Sequence, residues 1–156
     1  MEGVRPATAG DLDRCTELVA AARQEAVPAR GGALLQAHGA DAAMPAVGEE
    51  PGTTVRRWAA DARTLLLAGL FDEAVVGVAA GTAHGVIGVI DCCYVEPAAR
   101  RVGIGSALVE ELVSWFAGRQ CTGIDARALP GDRSTKQLLE GAGFSARLLV
   151  LHRRLP

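Results

Sequence analysis

Seven consecutive residues, Arg100-Arg101-Val102-Gly103-Ile104-Gly105-Ser106, have the residue types and the spacing needed to bind a phosphate group. The two glycines let a ligand approach the backbone without meeting a Cβ atom. An apolar run, Val86 to Val95, precedes this stretch, and an amphipathic run, Leu108 to Phe116, follows it. The order strand, turn, helix presents unpaired N–H groups and the positive end of the helix dipole at the turn. Together with the two arginine charges, the pattern favours a ligand that carries a pyrophosphate.

Two other phosphate-binding patterns fit this stretch less well. A P-loop requires a lysine directly after its second glycine, and the only lysine of the chain is Lys136. A dinucleotide fingerprint requires a third glycine at the position that Leu108 occupies. Asp125 lies near the spacing at which that fingerprint expects an acidic residue, so a nucleotide-binding α/β domain stays open as an alternative.

The pattern Arg100-x-x-Gly103-x-Gly105, after a strand ending in Val95-Glu96-Pro97, resembles the acyl-CoA-binding motif of the GNAT superfamily of N-acetyltransferases. The resemblance continues in Gly143-Phe144, which follow a predicted helix as the family's Gly-Phe pair does. It covers Val86 to Leu155 in detail, whereas the first half of the chain matches only in the order of its elements.

This resemblance implies an α/β protein with the GNAT fold. Its central sheet would be mixed and mostly antiparallel, flanked by helices, and splayed between the strand that ends at Val95 and a strand over residues 122–127. Residues 1–156 would form a single acetyltransferase domain. Within it, residues 1–84 would make a variable acceptor-side half, and residues 85–156 the acyl-CoA-binding half.

The resemblance also implies acetyl-CoA as a cosubstrate. The backbone of Val95 would contact the pantetheine, and its N–H would stabilise the developing oxyanion. Arg100 to Ser106 would cradle the pyrophosphate, and Asp132 stands where an Asn of the family often contacts the pantetheine. The predicted acetyl-CoA-binding residues are Tyr94, Val95, Arg100, Arg101, Val102, Gly103, Ile104, Gly105, Ser106, Asp132 and Ser134.

The implied reaction is direct attack by a primary amine on acetyl-CoA in a ternary complex, and it needs a base to deprotonate the acceptor ammonium. Strand alternation puts Asp91 on one face with Cys93 and Val95. An isolated carboxylate in an apolar run tends to have a raised pKa, so we predict that Asp91 is the general base or binds the ammonium. The alternative is an Asp that hydrogen bonds to a neighbouring loop. Cys93 as a nucleophile is disfavoured, because no histidine lies near it in sequence.

The general acid of the family has no counterpart in this sequence. Leu139 occupies the position at which many members have a tyrosine that protonates the departing thiolate. Tyr94 is the only tyrosine, and strand alternation points it away from Asp91. A CoA-binding sensor or partner-binding module without catalysis is therefore the second hypothesis. The amine could belong to a small molecule, a peptide or a protein.

Hydrophobic periodicity and turn residues predict alternating helices and strands. Helices are predicted at Leu12–Ala26 (capped by Asp11), Ala33–His38, Val55–Asp61 (capped by Thr53 or Thr54), Gly103–Ala117 and after Pro130-Gly131-Asp132. Strands are predicted at Thr64–Phe71, Ala74–Thr82, Gly85–Val95, Thr122–Arg127 and Phe144–Leu155, with turns at Asp72-Glu73 and Ala83-His84. Residues 29–53 predict a long connection, either a disordered insert or a substrate-covering loop. Leu148 to Leu151 would serve a homodimer interface or the core.

Composition limits the partners further. The net charge of −2 gives no general attraction to nucleic acid or to an anionic membrane. The sequence has no signal-peptide pattern and no apolar run long enough to cross a bilayer, which predicts a cytoplasmic protein. The three histidines lie far apart in sequence, and the four cysteines have no Cys-x-x-Cys spacing, so we expect no metal site and free, small apolar thiols.

Overall fold

Five strands form one sheet, in the order in which they occur along the chain. A computed structural model describes residues 2–39 and 48–156. The strands are β1 (Glu2–Pro6), β2 (Thr64–Phe71), β3 (Ala74–His84), β4 (Ile87–Val95) and β5 (Gly123–Ala126). The helices are α1 (Leu12–Ala26), α2 (Gly32–His38), α3 (Pro51–Ala60), α4 (Ile104–Gly118) and α5 (Arg133–Gly141), with short 3-10 turns at Ala9–Asp11 and Pro97–Ala99.

The sheet is mixed and mostly antiparallel, as the sequence predicts. β1 to β4 pair antiparallel with their neighbours, whereas β5 pairs parallel to β4. The parallel register runs from Ile87 opposite Gly123 to Ile90 opposite Ala126. Within the described residues, β4 continues to Val95 with no β5 partner, so the two strands separate at the predicted place.

Each face of the sheet carries its own apolar core. The larger core lies under α4, where Leu108, Leu112 and Phe116 are fully buried. The second core lies between the sheet, α1 and α3, and includes Leu18 and Trp58. We call them the α4-side core and the α1–α3-side core.

Several predicted bounds are confirmed, and the differences have local causes. α1 and β2 have the predicted bounds. α3 begins at Pro51 rather than after Thr53 or Thr54, because proline at the first helical position has the required φ and lacks only an N–H that would be unpaired there. The β3–β4 turn lies at Gly85-Val86 rather than Ala83-His84, since Gly85 supplies the left-handed φ of 64°. Of the predicted connection 29–53, residues 40–47 lie outside the described residues.

The predicted last strand is wrong. Residues 144–156 form neither helix nor strand, and the side chains of Leu148 and Leu151 are 80% and 85% exposed. An apolar, extended run becomes a strand only where its backbone groups meet a partner edge. His152 is therefore not a strand residue, and its ring lies 4.6 Å from the ring of His38 instead. Among the described helices, none is long and apolar enough to cross a membrane.

Candidate active site

A gap opens along the second half of β4, where β5 no longer pairs with it. The Glu96 N–H donates to the Val76 carbonyl at 3.0 Å, across the β3–β4 ladder. Residues of an antiparallel strand alternate in the edge to which they direct their backbone groups. Cys93 and Val95 therefore direct their N–H and C=O groups away from β3 and into the gap. A ligand in the gap can pair with the Cys93 N–H and C=O and with the Val95 N–H, whereas the Val95 carbonyl already accepts from Arg100 Nε at 2.8 Å.

The predicted phosphate-binding stretch lies at the N-terminus of α4, directly after β4. Arg101 and Gly103 have left-handed φ angles of 69° and 93°, so the chain doubles back before the helix begins. The first helical hydrogen bond runs from the Ala107 N–H to the Gly103 carbonyl, at 2.9 Å. The N–H groups of residues 104–106 precede any helical acceptor, and they point out of the helix start. Such a concave run of N–H groups is a binding site for an anion.

Arg100 does not extend along this run of N–H groups. Its Nε donates to the Val95 carbonyl at 2.8 Å, and its Nη2 donates to the Glu25 carboxylate at 2.7 Å. Its Cζ lies 5.4 Å from the centre of the Tyr94 ring. Glu25 was missed from the sequence because it lies in the last turn of α1, far from β4 along the chain. The Arg100 guanidinium lowers the pKa of Glu25, whereas burial and the nearby Glu25 carboxylate raise the pKa of Tyr94.

A β-bulge in β4 determines where Asp91 points. Ala80 pairs with Cys92 and Gly81 with Ile90, so Asp91 is the extra residue of the bulge. Ile90 packs in the α4-side core, whereas Cys92 packs in the α1–α3-side core. A bulge interrupts strand alternation and redirects one side chain, and here it shifts the alternation by one residue.

The carboxylate of Asp91 lies on the α1–α3 side of the sheet. It accepts a hydrogen bond from the Thr82 hydroxyl at 2.6 Å, and the Thr82 and Thr64 hydroxyls lie 2.9 Å apart. Thr64 is two residues before Leu66, which belongs to the α1–α3-side core. The prediction that Asp91 shares a face with Cys93 and Val95 is therefore wrong, because of the bulge.

The same shift corrects the prediction for Tyr94. Tyr94 and Cys92 pack on the α1–α3-side core, whereas Cys93 and Val95 pack on the α4 side. Strict alternation would have pointed Tyr94 away from Asp91, but both side chains leave the sheet on the same face. Its ring does not lie free in the gap, because the Arg100 guanidinium covers it.

Burial raises the pKa of Asp91, in the direction that the sequence predicts. The residue as a whole remains exposed, but its carboxyl group lies close enough to the sheet to lose hydration. The Thr82 hydrogen bond opposes this shift, and so do the electrostatic interactions of Asp91 with His84, Arg127 and Arg57. A carboxylate with a raised pKa, beside the point where the strands separate, can accept a proton from an amine.

Cys92 and Cys93 are unsuited to nucleophilic catalysis. All four are free thiols, and burial raises the pKa of Cys93 to about 12 and that of Cys92 also to about 12. The thiolate is the reactive form, so Cys93 stays an unreactive thiol near neutral pH. Within residues 2–39 and 48–156, no group of three His, Cys, Asp or Glu side chains is arranged to hold a metal ion.

Two loops meet at the carboxyl end of β5. The Gly131 N–H donates to the Arg30 carbonyl at 3.3 Å, which joins the β5–α5 loop to the α1–α2 loop. The approach is close, because a Cβ added at Gly131 would lie 2.5 Å from the Arg30 nitrogen. Since β4 and β5 are parallel, both loops lie at the edge of the sheet where these strands separate.

Asp132, Ser134 and Leu139, all named in the sequence predictions, lie in α5 or cap it. Asp132 caps the helix, since one carboxylate oxygen accepts the Thr135 N–H at 3.0 Å and the other accepts the Thr135 hydroxyl at 2.6 Å. Ser134 is exposed in the first turn. Leu139 is buried in the α4-side core. Contacts of Asp132 and Ser134 with a cosubstrate stay predictions, and in the structure both oxygens of the Asp132 carboxylate accept hydrogen bonds from Thr135.

The chain matches one protein family and is similar in fold to several solved structures. The family described as "Acetyltransferase (GNAT) family" matches residues 33–144. No curated protein matches the chain. A transcriptional regulator from Bacillus halodurans C-125 is 21% identical over 99% of this chain and 100% of its own, with a TM-score of 0.70.

Two acetyltransferase structures are similar in the same way. A ribosomal-protein-alanine N-acetyltransferase from Brucella melitensis biovar Abortus 2308 is 15% identical over 100% of both chains, with a TM-score of 0.69. An aminoglycoside antibiotic 6'-N-acetyltransferase from Acinetobacter haemolyticus is 16% identical over 99% of both chains, with a TM-score of 0.65. At these identities, the likeness establishes a common fold.

Proposed function

Because the chain belongs to the GNAT acetyltransferase family, we propose that it transfers the acetyl group of acetyl-CoA to a primary amine by direct attack in a ternary complex. The observation that carries this proposal is the gap beside Cys93 and Val95, which continues into the N–H-lined start of α4. The first part suits the amides of pantetheine, and the second suits a pyrophosphate. Arg101, whose side chain is exposed at the turn, adds positive charge there.

The chemistry is divided between two residues of β4, the side chain of Asp91 and the backbone of Val95. Asp91 removes a proton from the acceptor ammonium, and the freed lone pair attacks the thioester carbonyl carbon. The Val95 N–H faces the gap and stabilises the negative charge that develops on the carbonyl oxygen. The C–S bond then breaks, the attacking nitrogen gives up its second proton to water as the amide forms, and the CoA thiolate takes a proton from water, since Leu139 has none to give.

The acceptor approaches from the α1–α3 side of the sheet, where Asp91 lies. Residues 1–84 supply α1 and α3 on that side, which fits the proposed division into an acceptor-side half and an acyl-CoA-binding half. The acceptor is a small molecule, a peptide or a protein that bears a primary amine. Related folds that act on aminoglycosides or on a ribosomal-protein alanine make both kinds of acceptor worth including in a screen.

A second candidate function is a CoA-binding module without catalysis. It is favoured by Leu139, which occupies the place of the family's tyrosine and packs in the core. Release of free thiol from acetyl-CoA in the presence of candidate amines distinguishes the two functions. A CoA-binding module binds acetyl-CoA but releases no thiol above the rate of spontaneous hydrolysis.

The first experiment is a calorimetric titration of acetyl-CoA into the wild type, Gly105→Glu and Gly118→Glu. A side chain at Gly105 starts 3.5 Å from the Leu138 side chain and 3.8 Å from the Val95 side chain, so a glutamate there brings bulk and negative charge to the start of α4. Gly118, at the far end of the same helix, has open space around it and is the matched control. Binding by the wild type and Gly118→Glu, and its loss in a folded Gly105→Glu, supports the proposal. Equal binding by all three contradicts it.

We also propose that two copies associate through residues 148–151. Four large apolar side chains in a row are 57% to 85% exposed, and continuous exposed apolar surface marks an interaction site. Light scattering during size-exclusion chromatography should give a dimer mass for the wild type and a monomer mass for Leu149→Asp. A monomeric wild type at all concentrations tested would exclude this association.

A further inference from the structure

Two threonine hydroxyls and the Asp91 carboxylate form a hydrogen-bonded chain across three neighbouring strands. Thr64 is on β2, Thr82 on β3 and Asp91 on β4. The Thr64 and Thr82 oxygens are 2.9 Å apart, and the Thr82 oxygen is 2.6 Å from Asp91 Oδ2. Thr82 is buried, with 7% of its surface exposed, so water does not readily replace this contact.

The direction of these hydrogen bonds follows from the number of protons. An ionised carboxylate only accepts, so Thr82 must donate its single hydroxyl proton to Asp91. The contact between the two threonines can then form only if Thr64 donates to the Thr82 oxygen. Thr64 therefore fixes the orientation of the Thr82 hydroxyl, and Thr82 fixes one oxygen of the carboxylate. Within the described residues, the only side-chain hydrogen bond to Asp91 is made to Oδ2, so Oδ1 is available to an incoming amine.

We propose that Thr82 and Thr64 are positioning residues for Asp91, which orient its carboxylate and favour its ionised form. This inference rests on the proposed function, in which Asp91 is the base. Burial alone would push the pKa of Asp91 further up and leave less of it ionised at a given pH. A hydrogen bond from a buried hydroxyl favours the charged form and offsets part of that shift.

Other charged groups also act on Asp91 and must be kept constant. His84 on β3, Arg57 on α3 and Arg127 after β5 favour its ionised form, and the Cys92 thiol is its neighbour on β4. Valine substitutions at Thr82 and Thr64 remove a hydroxyl without changing any of these charges. The effect of the hydroxyl pair can therefore be separated from the surrounding field.

The test is the pKa of the Asp91 side-chain carboxyl, measured by carbon NMR without acetyl-CoA or acceptor. The wild type is compared with Thr82→Val, Thr82→Ser and Thr64→Val, and with Thr16→Val, whose hydroxyl bonds within α1, as the control. Loss of a hydrogen bond to a charged group predicts an upward shift of about one to two pH units in Thr82→Val. The shift should be smaller in Thr64→Val and absent in Thr82→Ser and Thr16→Val.

The same variants are then assayed for transfer across pH. If the wild type transfers acetyl groups, the acidic limb of kcat/KM should move up in pH with the NMR value in Thr82→Val. An unchanged pKa in a folded Thr82→Val overturns the positioning role, whatever the activity. A shifted pKa in a protein that never transfers an acetyl group supports the hydroxyl pair and contradicts the proposed function instead.

Discussion

The Arg100 guanidinium donates to the Val95 carbonyl at 2.8 Å and to Glu25 at 2.7 Å, so this arginine ties β4 to the end of α1. Two donors of the arginine that the sequence assigns to the pyrophosphate are thus engaged within the protein, and its contact with a pyrophosphate stays a prediction. Arg101, the next residue, has its side chain exposed at the turn. The two arginines should have different roles.

We predict that Arg101→Ala weakens acetyl-CoA binding several-fold and makes it less sensitive to salt, because a positive charge near the pyrophosphate is lost. Arg101→Lys, which keeps the charge, should bind nearly as the wild type does. Arg100→Ala should instead lower the free energy of unfolding by about 1 kcal/mol, since its partly exposed ion pair and its carbonyl contact are lost. Calorimetry and urea unfolding separate the two effects, and the reverse assignment would contradict this prediction.

Asp91→Asn should reduce the rate of acetyl transfer on the order of 100-fold or more, because the amide cannot accept the ammonium proton. Acetyl-CoA affinity should stay unchanged, since Asp91 lies on the acceptor side. In the wild type, transfer should fall as the pH drops through the pKa of Asp91, which is raised above the ordinary Asp value. Asp125→Asn, which removes a carboxylate paired with Arg147, is the control. Equal turnover by Asp91→Asn and the wild type would exclude Asp91 as the base.

Asp11 should make the free energy of unfolding depend on pH in the acidic range. It is buried, and it accepts hydrogen bonds from Arg5 at 2.6 Å and from the Thr8 N–H at 2.7 Å. These partners lower its pKa far below the ordinary value. Its contribution is therefore complete above the ordinary Asp pKa, and it is lost as the pH falls toward the lowered, folded value.

Asp11→Asn should cost about 2 kcal/mol at pH 7, because the Arg5 and Thr8 contacts weaken. Urea unfolding of the wild type and of Asp11→Asn at pH 7 and pH 3 measures this. The difference between the two proteins should narrow at pH 3. A difference that is the same at both pH values would show that Asp11 does not act through its charge.

Gly88→Ala should destabilise the fold by about 1 to 3 kcal/mol, because the added Cβ would lie 2.5 Å from Cδ1 of the buried Phe116 ring. Gly118→Ala, at the open end of α4, should be neutral or slightly stabilising, since nothing lies near the new methyl group. Thermal unfolding of the two variants gives the comparison. Equal midpoints would mean that the α4-side core repacks around the methyl group at no cost.

The sequence predicts those elements whose signals are local. α1 has an apolar stripe, and β2 is a short apolar run before the Asp72-Glu73 turn, which takes the left-handed conformation that a tight hairpin requires. The glycines at 103 and 105 likewise predict the turn before α4. In each case the residues that decide the structure are neighbours along the chain.

Features that depend on distant partners could not be predicted. The bulge at Asp91 is a shift in the register between β3 and β4, and the sequence of β4 alone does not predict it. The Glu25–Arg100 pair joins residues from the two halves of the chain. The predicted last strand has strand-like residues, but strand formation also requires a partner edge.

The hydroxyl pair beside Asp91 belongs to β2 and β3, whereas Asp91 belongs to β4. The boundary between residues 84 and 85 therefore passes through the surroundings of a single carboxylate. A chimera that takes residues 1–84 from another family member would exchange the proposed acceptor-side half and also the hydroxyls that we propose position Asp91. In such a chimera, the preference for an amine and the pH dependence of transfer would be expected to change together.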